Sequence, residues 1–347
     1  MQGHVSILSV SPEAAAMIAS GGRISTMDGT ADEIYANSLS AGQEKNEKLI
    51  GKVLSSGHTS VLEHCYVNLS FENVSVLAEQ FLIEFRLASF TVKSRRYVDF
   101  SKAGYVSPVF TANVQMAIFE RTVESLFGTY DVLEAAGVPK EDARFVLPYC
   151  FCSNFFCSMN ARELVHVMNE LAYGRGSRIP ELRALGESLF AQCEQQIPFL
   201  AVRKPEAYRQ SDAFCLRQVQ LLTSKAPVTV LAAPQDAEGL ICGAYQLARG
   251  NVPQPLTKPE QTALLKALLA QPRKRELEQA SYTLLFGGLS LAALTHLTRH
   301  RMQALCAPNL LKSARYDRYV LPESVQQTGL EAKYREAFWQ AGEAAVQ

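Results

Sequence analysis

The chain has 347 residues, of which 48% are apolar and 20% charged, a composition typical of a globular protein. Its 34 basic and 34 acidic residues cancel to a net charge of zero. Proteins that coat nucleic acid, or that bind membranes through a basic surface, need an excess of positive charge, so the composition argues against both classes. The length suits two domains better than one.

The N-terminal segment MQGHVSILSVSPEAAAM lacks the charged and long apolar regions of a signal peptide, and no apolar run reaches the length of a membrane span. The eight cysteines are scattered and contain no CxxC pair. We therefore expect a cytoplasmic protein with reduced cysteines and no metal site.

The first elements follow from periodicity and capping signals. VSILSVSP (5–12) alternates like a strand, and a helix is expected to follow it as far as Gly21-Gly22. Residues 31–56 are expected to be helical, with Gly57 as the C-cap. In the octapeptide 57–64, Ser60 and Glu63 have the spacing of a capping box, which predicts the start of a helix.

The next elements are a strand in CYVNLSFE (65–72) and a helix from Asn73 to Ala88. The segment SFTVKSRRY (89–97) contains three cations and two serines, which could hold a phosphate or form a solvated turn. A further helix is expected over 112–136.

Two later positions combine cations with apolar surroundings. Arg144 lies beside the apolar sequence FVLP, where a cation needs a partner. Asn160 is expected to cap a helix on which Arg162 and His166 share one face.

The segment THLTRHR (295–301) places two arginines and two histidines at the end of an apolar helical run. Arginine suits bidentate binding of phosphate, so the segment is a candidate anion site. The alternative is a solvated basic helix end. His296 and His300 also have the spacing of a zincin pair, but Leu297 stands where a metalloprotease needs Glu, and no third ligand is evident.

The second half of the chain repeats the pattern of the first. VQLLTSK (219–225) parallels VSILSVS (5–11), and ELEQASYTLLFGGLSLAALTHLTRHR (276–301) parallels residues 61–86 at an offset of 215. A polar stretch at 203–212 marks the boundary. The pattern predicts repeat 1 over 1–205 and repeat 2 over 212–347, the second truncated at the counterpart of about position 132.

These motifs together resemble the flavin-dependent thymidylate synthases. GHTSVLEH (57–64) is similar to the family's G-H-x-S-x-x-E-H, and Arg299-His300-Arg301 to its Arg-His-Arg signature. Ser94-Arg95-Arg96-Tyr97 is similar to the closing S-x-R-Y, and ARFVLP (143–148) with Asn160-Ala161-Arg162 to the downstream blocks.

The resemblance implies a mixed α/β (α+β) fold, here as two tandem thymidylate-synthase-complementing-like domains, and an assembly whose active sites lie between subunits. It implies reductive methylation of dUMP to dTMP with FAD, with NADPH as reductant and methylenetetrahydrofolate as carbon donor. A cofactor of this kind supplies the difficult chemistry, while the protein supplies orientation and charge.

The chain departs from the family pattern in both repeats. In repeat 1, the signature position is Glu84-Phe85-Arg86, Thr91-Val92 replaces Asn-Glu, and an expected arginine is Leu171. In repeat 2, Asn309 aligns with Ser94, and Gln279 replaces the second histidine of the octapeptide.

Because these losses are largely complementary, we expect one composite site per repeat pair and a degenerate mirror site. Carried over from the family, the expected catalytic residues are Ser94, Arg144 and Arg299. Substrate binding is expected to use His296, Arg299, Ser94, Arg96 and Arg144. FAD is expected to be held by Ser60, Glu63, Asn160, Arg162, His166, His300 and Arg301.

Pairing of repeats predicts a homodimer that forms a four-repeat pseudo-tetramer, without nucleic acid or membrane partners. Two alternatives remain open. One is a C5-methyltransferase for another pyrimidine nucleotide, and the other is a diverged, non-catalytic homologue without flavin.

Overall fold

The computed structural model describes residues 3–209, 227–300, 302–307, 310 and 316–346. The chain divides into two compact units, the first containing 1–215 together with 291–347 and the second containing 216–290. The C-terminal part of the predicted second repeat therefore packs with the N-terminal part of the chain. The repeat limits 1–205 and 212–347 describe where the sequence pattern repeats and not how the chain packs, and they stay a prediction.

The first unit contains a four-stranded antiparallel sheet within its described residues. Its strands are β1 (His4–Val10), β2 (Tyr66–Ser75), β3 (Ser89–Val92) and β4 (Cys152–Asn160). Their spatial order is β1-β2-β4-β3, so β4 lies between two strands that precede it in sequence.

The helices of the first unit surround this sheet. They are α1 (Ala14–Arg23), α2 (Ala31–Ala41), α3 (Gln43–Ser55), α4 (Val76–Leu82), α5 (Asn113–Ala135), α6 (Lys140–Ala143), α7 (Ala161–Ala172), α8 (Pro180–Gln196) and α9 (Pro205–Tyr208). The second unit contributes α10 (Ala237–Leu247) and α11 (Lys258–Leu269). The chain then returns to the first unit with α12 (Leu291–Thr298), α13 (Glu323–Gln327) and α14 (Glu331–Val346).

Each helix in the described residues is too short or too polar to cross a lipid bilayer.

Two apolar clusters stabilise the first unit. Alternation along β2 buries Val67, Leu69 and Phe71, which join side chains of α7 and α8 in the main core. A second cluster lies between α5 and α14, where Tyr130 and Tyr334 are almost fully buried. The mixed helix-and-sheet class predicted from the sequence is confirmed.

The second unit contains a two-stranded antiparallel sheet formed by β5 (Val228–Ala232) and β6 (Thr283–Phe286). Val228 pairs with Phe286 as Val5 pairs with Phe71 in the first unit. Both pairs of strands have a register shift at the same place, between Ile7 and Ser9 in β1 and between Val230 and Ala232 in β5. The two units therefore share strand register as well as strand order.

This register corrects one detail of the sequence alignment. The counterpart of β1 is Val228–Ala232, not VQLLTSK (219–225), which lies outside the described residues. The offset of 215 holds for the later elements. The 3-10 helix Arg275–Gln279 corresponds to Thr59–His64, α11 to α3 and α12 to α4.

Equivalent elements of the two repeats also contact each other within the first unit. The Thr295 hydroxyl on α12 donates to Oε1 of Gln80 on α4 at 2.6 Å, and the Ser125 hydroxyl on α5 donates to Oε1 of Gln340 on α14 at 2.8 Å. The two residues of each pair are 215 positions apart. Contact between equivalent residues is the mark of an isologous, twofold interface. We interpret the two pairs as lying beside an internal pseudo-twofold axis, which fits the tandem repeat that the sequence predicts.

Three local predictions need correction. The predicted helix 73–88 is only Val76–Leu82, because β2 continues to Ser75, whose side chain caps the helix. The predicted helix 31–56 is two helices separated at Gly42, whose φ of 79° breaks the helical path. The octapeptide around Ser60 forms a 3-10 helix instead of starting an α-helix.

Candidate functional site

Five side chains come together in the first unit near the packing of α4 against α12. We call them the arginine cluster: Arg95, Arg96, Arg144, His296 and Arg299. Desolvation lowers the pKa of the His296 imidazole, and the positive charges of all four arginines lower it further. The four guanidiniums therefore lie in the same part of the first unit, around His296.

The cluster draws on three segments of the chain. Arg95 and Arg96 follow β3, Arg144 begins a 3-10 helix, and His296 and Arg299 lie at the end of α12. The structure thus brings together four residues that the sequence assigns to substrate binding: Arg96, Arg144, His296 and Arg299. Their role in binding stays a prediction.

Arg144 and Arg96 are both anchored by Glu141. The Arg144 Nε donates to the Glu141 backbone carbonyl at 3.0 Å, and Arg96 forms an ion pair with the Glu141 carboxylate at the surface. Burial lowers the pKa of the Arg144 guanidinium, and the charge of Arg95 lowers it further. An anion would relieve this repulsion.

A buried carboxylate, Glu79 on α4, lies beside the cluster. Its side chain is 1% exposed; Oε2 accepts hydrogen bonds from Arg95 and, at 2.5 Å, from the Ser153 hydroxyl. Its Oε1 faces Arg299 Nη2 at 3.5 Å. Sequence reasoning missed Glu79 and Ser153 as site residues, and it included Arg95 only within the candidate phosphate segment 89–97. The available signal was an acid inside the apolar helical run VLAEQFLI, where a carboxylate needs a cation.

Buried polar contacts fix α12 against α4. Gln80 is 3% exposed and accepts from Thr295, while its amide donates weakly to the Thr298 hydroxyl at 3.4 Å. Burial raises the pKa of the nearby Tyr149, and a hydrogen bond with Thr295 opposes that rise. The end of α12 is therefore held by residues of the first repeat.

Ser94 has a local role in the turn that presents the arginines. Its hydroxyl accepts from the Arg96 backbone N–H at 3.3 Å. This contact orders the segment after β3 and leaves the catalytic assignment of Ser94 a prediction.

Five of the seven residues assigned to FAD form a second group: Ser60, Glu63, Asn160, Arg162 and His166. Arg162 Nη1 donates to Glu63 Oε1 at 2.5 Å, and both side chains are about half exposed. The Asn160 side chain accepts from the Glu163 backbone N–H and caps α7, as predicted. His166 Nδ1 lies 2.8 Å from the Tyr208 hydroxyl, and Ser60 is exposed.

The structure does not bring this second group to the arginine cluster. Ser153, which binds Glu79, and Asn160 lie near opposite ends of β4. Seven residues of strand separate them, or about 23 Å at the usual rise per residue. The two groups therefore belong to different ends of the sheet.

In repeat 1, Glu84-Phe85-Arg86 stands at the position of Arg299-His300-Arg301, and Glu84 and Phe85 make contacts within their own repeat. Glu84 pairs with Arg175 Nη1 at 2.9 Å, and the Arg175 guanidinium lies 5.0 Å from the centre of the Phe81 ring. Phe85 is buried and packs edge-on against His166 at 5.4 Å.

Of the other predicted cofactor residues, His300 is exposed after α12, and Arg301 lies outside the described residues, as does Asn309. Within the described part of the chain, no three His, Cys, Asp or Glu side chains are grouped so as to hold a metal ion. The described cysteines form no disulfide, and burial raises the pKa of Cys150 and Cys193 to about 12.

Comparison with known proteins agrees with these motifs. The family model of the thymidylate synthase complementing proteins (Thy1) matches residues 6–199 and 229–347. The starts of the two matched segments differ by the same interval as Val5 and its counterpart Val228, and two segments fit a tandem arrangement.

Individual relatives match parts of the chain. A flavin-dependent thymidylate synthase of Nitratidesulfovibrio vulgaris is 29% identical over 256 residues, covering 70% of this chain and 96% of the relative. One of Geobacter sulfurreducens is 34% identical over 166 residues, covering 47% and 70%. A crystal structure of a UMP/dUMP methylase, PolB from Streptomyces cacaoi, bound with 5-Br dUMP, gives a TM-score of 0.48 at 21% identity and covers 58% of this chain and 93% of that one.

Proposed function

Because the chain belongs to the thymidylate synthase complementing protein family, we propose that it is a cytoplasmic, flavin-dependent thymidylate synthase. It methylates C5 of dUMP to give dTMP, with methylenetetrahydrofolate as carbon donor and NADPH as reductant. The relatives from Nitratidesulfovibrio vulgaris and Geobacter sulfurreducens are named for this activity. FAD, when bound, supplies the redox chemistry that the side chains cannot perform.

The observation that supports the nucleotide site best is the arginine cluster. Its four guanidiniums, opposed by the carboxylates of Glu79 and Glu141, leave two positive charges when His296 is neutral. A phosphate monoester carries about −1.5 to −2 near pH 7, so the charges balance on binding. Planar guanidiniums also offer the bidentate geometry that phosphate prefers.

The residues of the cluster differ in exposure, which suggests separate roles. Arg96 and Arg299 have side chains that are 59% and 41% exposed, so they are accessible to a phosphate arriving from solvent. Arg144 is partly buried and lies near His296 and Tyr149, where it would face the base. Ser94 would orient the Arg96 segment through its contact with the backbone N–H.

The second group fits part of a flavin dinucleotide. Arg162 lies in the first turn of α7 and is half exposed, so its guanidinium and the helix N-terminus can face a pyrophosphate. Glu63 orients Arg162. Asn160 caps the helix and His166 contacts Tyr208, so these two residues would hold α7 in place and would not contact FAD directly.

Because Ser153, beside the arginine cluster, and Asn160, in the second group, lie about 23 Å apart along β4, we propose that the two groups serve different active sites. The arginine cluster of one chain would work with the FAD group of a second chain, in a homodimer that forms a four-repeat assembly. The half-exposed state of Arg162 and Glu63 is compatible with an interface at that end of the sheet.

Calorimetric titration with dUMP tests the nucleotide site. Arg299→Ala and Arg144→Ala should each weaken binding about 10- to 100-fold, because each removes charged hydrogen bonds. Arg121→Ala, an exposed arginine on α5 outside the cluster, should bind like the unaltered protein. Unchanged affinity in both cluster variants would contradict the proposal.

A further inference from the structure

We propose that Glu79 is a positioning residue that orients Arg299 toward the nucleotide phosphate and thereby determines which of the two pseudo-symmetric sites is functional. This inference rests on the proposed nucleotide site. It concerns a carboxylate that would not itself contact the nucleotide and that acts through an arginine of the other repeat.

Glu79 is fixed more firmly than an exposed carboxylate could be. Its side chain is fully buried, and Oε2 is occupied by Arg95 and by the Ser153 hydroxyl, which is itself fully buried. Arg95 is held in turn over the Phe151 ring, with its guanidinium carbon 5.5 Å from the ring centre. These contacts leave Oε1 in a defined position facing Arg299 Nη2 at 3.5 Å.

The two sides of the internal axis differ at this contact. At the offset of 215, Glu79 corresponds to Leu294 and Arg299 corresponds to Glu84. The symmetry-related contact would therefore join a leucine to a glutamate, which do not attract each other. Glu84 instead pairs with Arg175 of its own repeat. An acidic side chain therefore faces a basic one of the other repeat only on the side of the axis that contains Arg299.

The sign of the effect follows from the charges around Glu79. Neutralising it adds one positive charge near the cluster, which by itself would favour an anion. It also leaves Arg95 and Arg299 without the carboxylate between them, so the two guanidiniums repel. Arg95 is enclosed, with a side chain 9% exposed, whereas Arg299 is 41% exposed and free to move outward. Loss of orientation at Arg299 therefore outweighs the gain in charge.

A double-mutant cycle on the full-length protein tests this with dUMP as the ligand. Glu79→Gln should weaken dUMP binding about tenfold when Arg299 is present, and by less than about twofold in the Arg299→Ala background. A merely structural role for Glu79 would give the same loss in both backgrounds, and that result would overturn the inference. Tighter or unchanged binding by Glu79→Gln alone would overturn it as well.

Glu181→Gln is the matched control. Glu181 is a partly buried carboxylate near the same end of the sheet, but it accepts hydrogen bonds from Ser75 at 2.7 and 2.5 Å and is not part of the cluster. Any effect of this substitution should be equal in the two backgrounds.

Should Glu79→Gln prove unfolded by circular dichroism, Ser153→Ala replaces it in the cycle. This change removes one hydrogen bond to Oε2 and keeps the ion pair with Arg95, so a loss of about threefold is expected with Arg299 present and none without it. Equal losses in both backgrounds again contradict the inference. If Arg299→Ala itself binds dUMP normally, the proposed nucleotide site fails, which is a distinguishable result.

Discussion

Gln80 and Thr295 occupy equivalent positions in the two repeats, 215 residues apart, and they bind each other: the Thr295 hydroxyl donates to Gln80 Oε1 at 2.6 Å. A residue that contacts its own equivalent lies beside a twofold axis. A single chain therefore contains the kind of interface that usually joins two subunits. The contacts near this axis are no longer symmetric, since Arg299 faces Glu79 on one side and Glu84 pairs with Arg175 on the other.

The first prediction concerns the stability of this internal interface. Thr295→Val should lower the free energy of unfolding by about 1–3 kcal/mol, because it leaves the buried Gln80 carbonyl oxygen without its donor. Denaturant titration measures the change. Thr122→Val on α5 removes a hydroxyl that donates only to its own helix at Ile118, and it should cost less than about 1 kcal/mol. Equal costs for the two substitutions would argue against a stabilising role for the Gln80–Thr295 contact.

The second prediction concerns stoichiometry. The mirror position of Arg299 is Glu84, whose carboxylate repels phosphate and is already paired with Arg175. We expect calorimetry to give one dUMP per chain, although the chain contains two repeats. A value of two would show that the mirror site still binds nucleotide.

The third prediction concerns pH. Desolvation and the four arginines lower the pKa of His296 in the folded protein, so below about pH 6.5 the unfolded chain takes up a proton that the folded chain resists. The folded state should lose stability as the pH falls through that value, and His296→Gln should lose less. Equal pH dependence in urea titrations of the two proteins would contradict the assignment.

A related effect is expected on binding. A phosphate offsets the positive charges around His296 and raises its pKa, so dUMP binding below about pH 6.5 should take up more protons in the unaltered protein than in His296→Gln. Calorimetry in buffers of different ionisation enthalpy measures this difference. Identical proton uptake would place the phosphate away from His296.

The fourth prediction tests the division of the active site between chains. Arg299→Ala and Arg162→Ala should each be inactive alone, since one alters the nucleotide group and the other the FAD group. After mixing and subunit exchange, half of the dimers are hybrids and each hybrid has one intact site, so about a quarter of the activity should return. A mixture as inactive as its components would show that one chain supplies both groups to the same site.

The sequence predicted β1 and β2, several helices and the meeting of Arg96 and Arg144 with His296 and Arg299, because strand alternation, motif order and the 215-residue offset are visible in the residues themselves. It did not predict β3 or β4. It missed Glu79, because an acid in the apolar run VLAEQFLI shows only that a cation must lie nearby and not that one partner, Arg299, comes from the other repeat. It also could not place the FAD group, since the length of β4 separates residues that motif order alone would assign to one site.

The measurement that tests the proposed activity most directly is tritium release from dUMP labelled at C5, in the presence of methylenetetrahydrofolate and NADPH. UMP and dCMP that carry the same label are assayed in parallel. The flavin absorbance of the purified protein is recorded first. We predict a yellow protein that releases tritium from dUMP faster than from the other two nucleotides. Faster release from UMP or dCMP would identify a methyltransferase for another pyrimidine, and a colourless protein without release would contradict a flavin-dependent enzyme.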